Sequence, residues 1–207
     1  MKMRFVLTLV LLPLLILFGC SSTPKVTRVE ADRQIDLSGY WNDTDVRMVC
    51  DSLIRDCLNS ARVSNEIAQF SARNGGRLPT AIVGTFRNNS SEHIDTTIIS
   101  SRMEIAIVNS GKLGFVAGGD TRTELRAERN DQQMNASEAT ASALANETGA
   151  NYMLTGAVRT IVDSAGNQTV RSYFVSAELT NLETNERLWM GSNDEIKKIV
   201  TRPRARP

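Results

Sequence analysis

Histidine is almost missing from this chain: His93 stands alone in 207 residues. One imidazole cannot build a His-rich metal centre, and the three cysteines and scattered carboxylates show no zinc-like spacing. His93 ends the polar loop Arg87-Asn-Asn-Ser-Ser-Glu-His93, with serines and Asp95 close by. No Gly-x-Ser-x-Gly elbow accompanies it, so it reads as a solvated or capping residue and not as part of a triad. Charge of one sign is missing too. Lys and Arg number 24 against 23 Asp and Glu, and no sustained basic stripe appears, which argues against nucleic acid as a partner. Gly118-Gly119-Asp120 lacks the remaining residues of a phosphate loop and reads as a plain turn. Internal repeats and low-complexity tracts are absent. Paired carboxylates for glycoside cleavage stay open, because separation in space is invisible in sequence. The expectation is a protein that is not an enzyme, with no cofactor, no metal and no small-molecule substrate.

Long apolar runs are also scarce, and the one present opens the chain. Met1-Lys2-Met3-Arg4 gives a basic leader, Phe5 to Phe18 is nearly unbroken apolar, and Gly19-Cys20 closes it. A membrane-spanning helix needs about 20 apolar residues, so this order reads as an export signal over residues 1–19. Cys20 after Gly19 resembles a bacterial lipobox, with Phe18 bulkier than the residue usual there. Cys20 is then the lipidated first residue of the mature protein; an ordinary secretory signal with an incidental cysteine is the alternative. One acyl chain anchors marginally, whereas the several of a bacterial lipoprotein, palmitate among them, anchor firmly. Ser21 and Ser22 in place of aspartate favour the outer membrane, with the soluble part facing the periplasm.

Residues 20–36 read as the lipidated cysteine and a short polar tether. Ser21 to Asp36 reaches at most about 55 Å extended and roughly 22 Å as a coil. A globular domain is expected over 37–200, followed by a basic tail, 201–207, with three arginines. Cys50 and Cys57 fall on the stripe Val46, Val49, Cys50, Leu53, Ile54, Cys57 and Ala61, which has helical spacing. Seven residues of helix separate two atoms by about 10 Å, while a disulfide tolerates Cα atoms about 7 Å apart. These thiols therefore read as buried small hydrophobes, a broken helix or an intermolecular bridge being the alternatives.

Asn42 can cap the helix that runs to Asn59, and a second amphipathic piece, Val63 to Arg73, stops at Asn74-Gly75-Gly76. A strand Thr80–Phe86 precedes a helix from Ile94 to Ser110. That helix is apolar on two sides, one carrying Ile94, Ile98, Ile105 and Val108. Such a helix is normally sandwiched; a face kept for a partner is the alternative. Leu113–Ala117 reads as a short buried strand. Thr121-x-x-Glu124 and Asn135-x-x-Glu138 look like caps of two helices, the second rich in alanine. Three strands finish the domain, Asn151–Asp163, Thr169–Asn181 and Glu186–Lys197. The order ααβαβααβββ predicts one α/β domain with a mixed sheet of four or five strands covered by helices. Gly39-Tyr40-Trp41 puts two large aromatics together in a chain only 5% aromatic. They read as a flap over the core, or as a partner contact.

Four ordered blocks then carry a likeness. Asp36-Leu-Ser-Gly-Tyr-Trp-Asn-Asp-Thr-Asp45 and Ile82-Val-Gly-Thr-Phe-Arg-Asn-Asn-Ser-Ser-Glu-His-Ile-Asp-Thr96 resemble the LpoB family. Asn109-Ser-Gly-Lys-Leu-Gly-Phe115 and Tyr152-Met-Leu-Thr-Gly156 are weaker blocks of the same kind. The likeness covers nearly all of the folded part, from Ile35 to the last strand. It implies a helix-covered mixed sheet and a non-enzymatic outer-membrane lipoprotein that binds and activates a class A penicillin-binding protein, a peptidoglycan synthase. The best-known members carry a long Pro-rich tether; this one is short, so a shorter gap, a taller partner or a different partner is implied. Tyr40 and Trp41 are the candidate partner contacts. An outer-membrane assembly or secretion lipoprotein subunit is the alternative function, with an envelope hydrolase behind it.

Overall fold

Capping and apolar spacing start the fold. The structure is a computed structural model that describes residues 26–30, 33–135 and 149–203. The chain divides into two units, Met1–Arg33 and Gln34–Pro207. In the first, residues 26–30 and 33 form no helix or strand. The second begins its regular structure at helix α1, Asp43–Asn59. Asn42 caps it: its side chain accepts from the Asp45 amide at 3.1 Å, while the Asp45 carboxylate accepts from the Asn42 amide at 2.9 Å. This reciprocal box satisfies two donors that the first turn otherwise leaves without partners. Val49, Cys50, Leu53 and Cys57 are buried along one stripe, as their spacing predicts. Both cysteines are free, and burial pushes each thiol up to about 12, which leaves them unreactive.

The chain breaks at Ser60 and resumes as α2, Ala61–Arg73. Asn74-Gly75-Gly76 stops it, with Gly75 at φ 63° and the Gly76 amide bonded to the Ser71 carbonyl at 2.9 Å. Strand β1 covers Thr80–Asn88, two residues longer than its sequence suggests. Helix α3 is Thr96–Ser110; Asp95 caps it by accepting from the Thr97 amide, so Ile94 lies before the helix. Two residues, Gly114–Phe115, form β2. Helix α4 is Gly119–Asn135, which absorbs the predicted cap at Thr121 and ends where a second cap was expected. The alanine-rich helix expected after Asn135 lies outside the described residues.

Strands β3, Tyr152–Ala165, and β4, Gln168–Asn181, form a long antiparallel hairpin. The single last strand expected over Glu186–Lys197 is two strands, β5 at Arg187–Asn193 and β6 at Lys197–Thr201. Both pair with β4, at opposite ends of it. The sheet order is β2-β1-β3-β4-β5, with β6 on β4. Strands β1 and β2, and β1 and β3, are parallel; the rest are antiparallel. The result is a six-strand mixed sheet, its parallel part made through helical crossovers and its antiparallel part through hairpins.

The alternation along β3 and β4 divides the sheet. Tyr152, Leu154, Val158, Tyr173, Val175 and Leu179 are buried on the face that α1 and α3 cover. Met153, Thr155, Arg159 and Ser176 point the other way, and no described helix packs there. The sandwich expected for α3 is not found. Ile99, Met103 and Ile107 are buried, but Ile98, Ile105 and Val108 remain 52%, 60% and 51% exposed. One apolar side suffices to hold this helix, because the sheet and α1 occupy the same side of it.

Candidate partner-contact site

The sequence places Tyr40 and Trp41 side by side, and the fold gives them opposite tasks. They belong to the strap Asp36–Trp41, which lies on the helix-covered side of the sheet against β4 and β6. Gly39 makes the close approach: a Cβ there would sit 2.1 Å from Val200 Cγ2, so only glycine fits. Trp41 turns inward, its ring 5.3 Å from that of Tyr173 at 56°. Tyr40 turns outward and stays 52% exposed, with the Arg171 guanidinium 4.2 Å from its ring centroid. That separation is within cation–π reach.

Polar side chains from four segments fasten the strap. The Tyr173 hydroxyl lies 2.9 Å from both Glu92 carboxylate oxygens and 3.1 Å from the Gly39 carbonyl, so its one proton is shared among acceptors. Burial, then the Glu92 carboxylate, hold the Tyr173 phenol above its ordinary range. Glu92 also accepts from the Trp41 amide at 3.3 Å and pairs with Arg171 at 3.3 Å. Lys198 spends three donors on the strap and its root: the Tyr40 carbonyl at 3.0 Å, Asp45 at 2.7 Å and Asp36 at 2.9 Å. One lysine thus serves two carboxylates that respond differently. The Lys198 bond draws Asp36 down to about 2, with help from Gln34 and Asn42. Asp45 is almost fully buried, and its desolvation outweighs Lys198 and raises its value.

Of the candidate contacts, Tyr40 is therefore available at the surface, whereas Trp41 is half-buried and serves the strap. Cys20 lies outside the described residues. Sequence reasoning missed Glu92, Arg171 and Lys198. Arg171 had a weak signal, since it precedes the buried series Tyr173, Val175 and Ala177 by one alternation step. Glu92 lay inside the family-like block Ile82–Thr96 with nothing to mark its role, and Lys198 had no signal, because both reach the strap only through distant pairing.

The opposite side of the sheet carries a second feature. Thr85, Arg87, Met153, Thr155, Arg159 and Ser176, with Glu178 and Met190, line a groove of about 550 Å³.

The family profile described as "Peptidoglycan-synthase activator LpoB" matches residues 45–195. This chain belongs to the LpoB family. The match runs from the first turn of α1 past the end of β5, and so takes in Glu92, Arg171, Tyr173 and the whole groove. It begins after Tyr40 and Trp41 and ends before Lys198. Among solved structures, the LpoB C-terminal domain from Salmonella enterica is 16% identical, covering 76% of this chain and 99% of its own, with a TM-score of 0.40. The LpoB C-terminal domain from Escherichia coli is 15% identical over 72% of this chain and 96% of its own, with a TM-score of 0.44. The lipoprotein GNA1162 from Neisseria meningitidis is 13% identical over 61% and 88%, with a TM-score of 0.35. No curated protein matches the chain.

Proposed function

We propose that this protein is a non-enzymatic envelope lipoprotein that binds a class A penicillin-binding protein and raises its rate of peptidoglycan synthesis. The observation that carries this reading is the synthase-activator family match over residues 45–195, which spans nearly the whole sheet and takes in all four described helices, α1 from its first turn. Cys20 holds the chain to the outer membrane through its acyl groups, and the domain faces the periplasm. Residues 21–36 reach at most about 55 Å, which confines the start of the folded domain, at Leu37, to that distance from the anchor.

Activation by binding has a simple energetic form. The domain shifts the synthase toward its active conformation only as far as it binds that conformation more tightly. A tenfold preference corresponds to about 1.4 kcal/mol. The strap suits such a role because it presents Tyr40 and Arg171 on a rigid base, so little freedom is lost on contact.

The test mixes the secreted chain, with Cys20→Ser to keep it soluble, with a purified class A synthase and lipid-linked substrate. Faster glycan polymerisation or crosslinking, saturating with the activator, is expected. Absence of both binding and stimulation overturns the reading. Recovery of self-associated protein or secretion components alone from envelope membranes also overturns it, in favour of an assembly subunit.

A further inference from the structure

Two arginines on the sheet face that no described helix covers lack carboxylate partners among the described residues. Arg87 lies on β1 and Arg159 on β3. The register pairs Arg87 with Ala157, which places Arg159 two residues further along the neighbouring strand, on the same face. Both are exposed and both line the groove. Among the described residues neither has a carboxylate within ion-pair distance; Arg159 reaches only the Ser176 hydroxyl, at 3.5 Å. Glu178, the one acid among the described residues of the groove, pairs with Arg187 at 3.0 Å. The groove therefore carries two uncompensated guanidinium groups, each able to take a carboxylate in bidentate fashion.

The rest of the lining says what kind of carboxylate. Thr85, Asn89, Thr155 and Ser176 add hydroxyl and amide groups along the groove, and Met153 and Met190 supply thioether surface. Met190 is 63% exposed. A small inorganic anion would use the arginines and leave the methionines in water. An extended chain with acidic and apolar side chains uses both, since its alternate residues face one side. Methionine surfaces accommodate varied apolar side chains. The groove volume also falls within the usual range for ligand sites.

We propose that this groove, centred on Arg87 and Arg159, is a docking site for an extended acidic segment of a partner protein. The proposal builds on the reading of the chain as a synthase-binding module, and assigns one contact to the sheet face turned away from the strap. Carboxylates of the segment pair with Arg87 and Arg159, and its apolar side chains rest on Met153 and Met190. The groove lies wholly inside the stretch that matches the LpoB family, whereas Tyr40 and Trp41 lie before it.

The test follows backbone amides of the ¹⁵N-labelled secreted chain (Cys20→Ser) while a synthetic ten-residue peptide built on the repeat Glu-Ser-Leu-Ser, whose glutamates and leucines share one face when extended, is added. Inorganic phosphate at equal charge is the parallel arm. Saturable shifts confined to Thr85, Arg87, Thr155, Arg159 and Ser176 are expected, and they should weaken steeply with added salt. The double variant Arg87→Gln, Arg159→Gln should bind about tenfold more weakly or worse, with the remaining amides unmoved. No shifts, shifts scattered over surface lysines, or equal shifts from phosphate alone would each overturn the proposal. So would full stimulation of the synthase by the double variant, and that result leaves the activator function standing. Failure of the unsubstituted chain to stimulate a synthase counts against the activator function instead, and the peptide titration still decides the groove.

Discussion

Phe86 and Arg87 are neighbours on β1 that face opposite sides of one sheet. Phe86 is 1% exposed beneath the helices, and Arg87 is exposed beside the groove. The same division runs along β3, where Leu154 is buried and Thr155 lines the groove. On the helix side the central positions are committed to packing, and Gly156 shows how tightly: a Cβ there would meet Phe86 at 2.3 Å. The other side has polar and charged groups over a thin apolar floor. One strand pattern therefore separates the residues that hold the fold from those free to recognise something else. Stability and recognition can then change almost independently.

The sharpest way to break that contrast is to truncate each neighbour in turn. Phe86→Ala should cost about 3–5 kcal/mol through lost burial and the cavity left behind, while Arg87→Ala should stay within about 0.5 kcal/mol. Urea denaturation measures both; similar losses would mean that the two faces do not differ as described. Next in size is Gly39→Ala. Its Cβ cannot share space with Val200, so the strap must lift, at a cost of about 1–3 kcal/mol. Tryptophan fluorescence should report the change as Trp41 leaves Tyr173. Tyr40→Ala should be milder, about 0.5–1 kcal/mol, because an exposed cation–π contact is all that it removes. Thermal unfolding of that variant beside Gly39→Ala separates the strap's seat from its display.

The smallest effect is in pH. Asp36, drawn down from 3.8 to about 2, favours the folded state above pH 3.8, and this contribution fades as pH falls toward 2. Asp45, raised by burial, has the reverse sign. Between 3.8 and its raised value the folded state keeps a proton that the unfolded chain has lost, so stability falls there as pH rises. Carboxyl-carbon titration by NMR should find the two groups on opposite sides of 3.8. Finding both on the same side would mean that Lys198 does not divide its influence between them in this way.

Much of this fold could be read from local chemistry. Asn42, the glycine stop after Arg73, Gly111 ending α3 at φ 63° and the alternation through Tyr173, Val175, Ala177 and Leu179 mark elements by physical rules that act within a few residues. The split between β5 and β6 could not be seen, since Asp194-Glu195-Ile196 carries no glycine or proline to announce a break. Likewise the exposed side of α3 shows the usual helical spacing of a buried one. The candidate sites were the least legible. Tyr40 and Trp41 stood out by rarity alone, but Glu92, Arg171 and Lys198 converge on them from three separate segments. Arg87 and Arg159 meet only because β1 pairs in parallel with a strand about 70 residues later.

Strand β4 has a consequence for how the molecule assembles. It is bonded along its length to β3 on one side and to β5 and β6 in turn on the other. Its pairing with β3 closes across a short turn containing Gly166, at φ 59°, and so costs little chain entropy. The pairing of β1 with β3 encloses far more chain and comes at greater entropic cost. The hairpin can therefore form early and act as a template, to which the strap, β5 and β6, and finally the parallel strands β1 and β2 are added. Its central amides should be the last in the molecule to exchange with solvent.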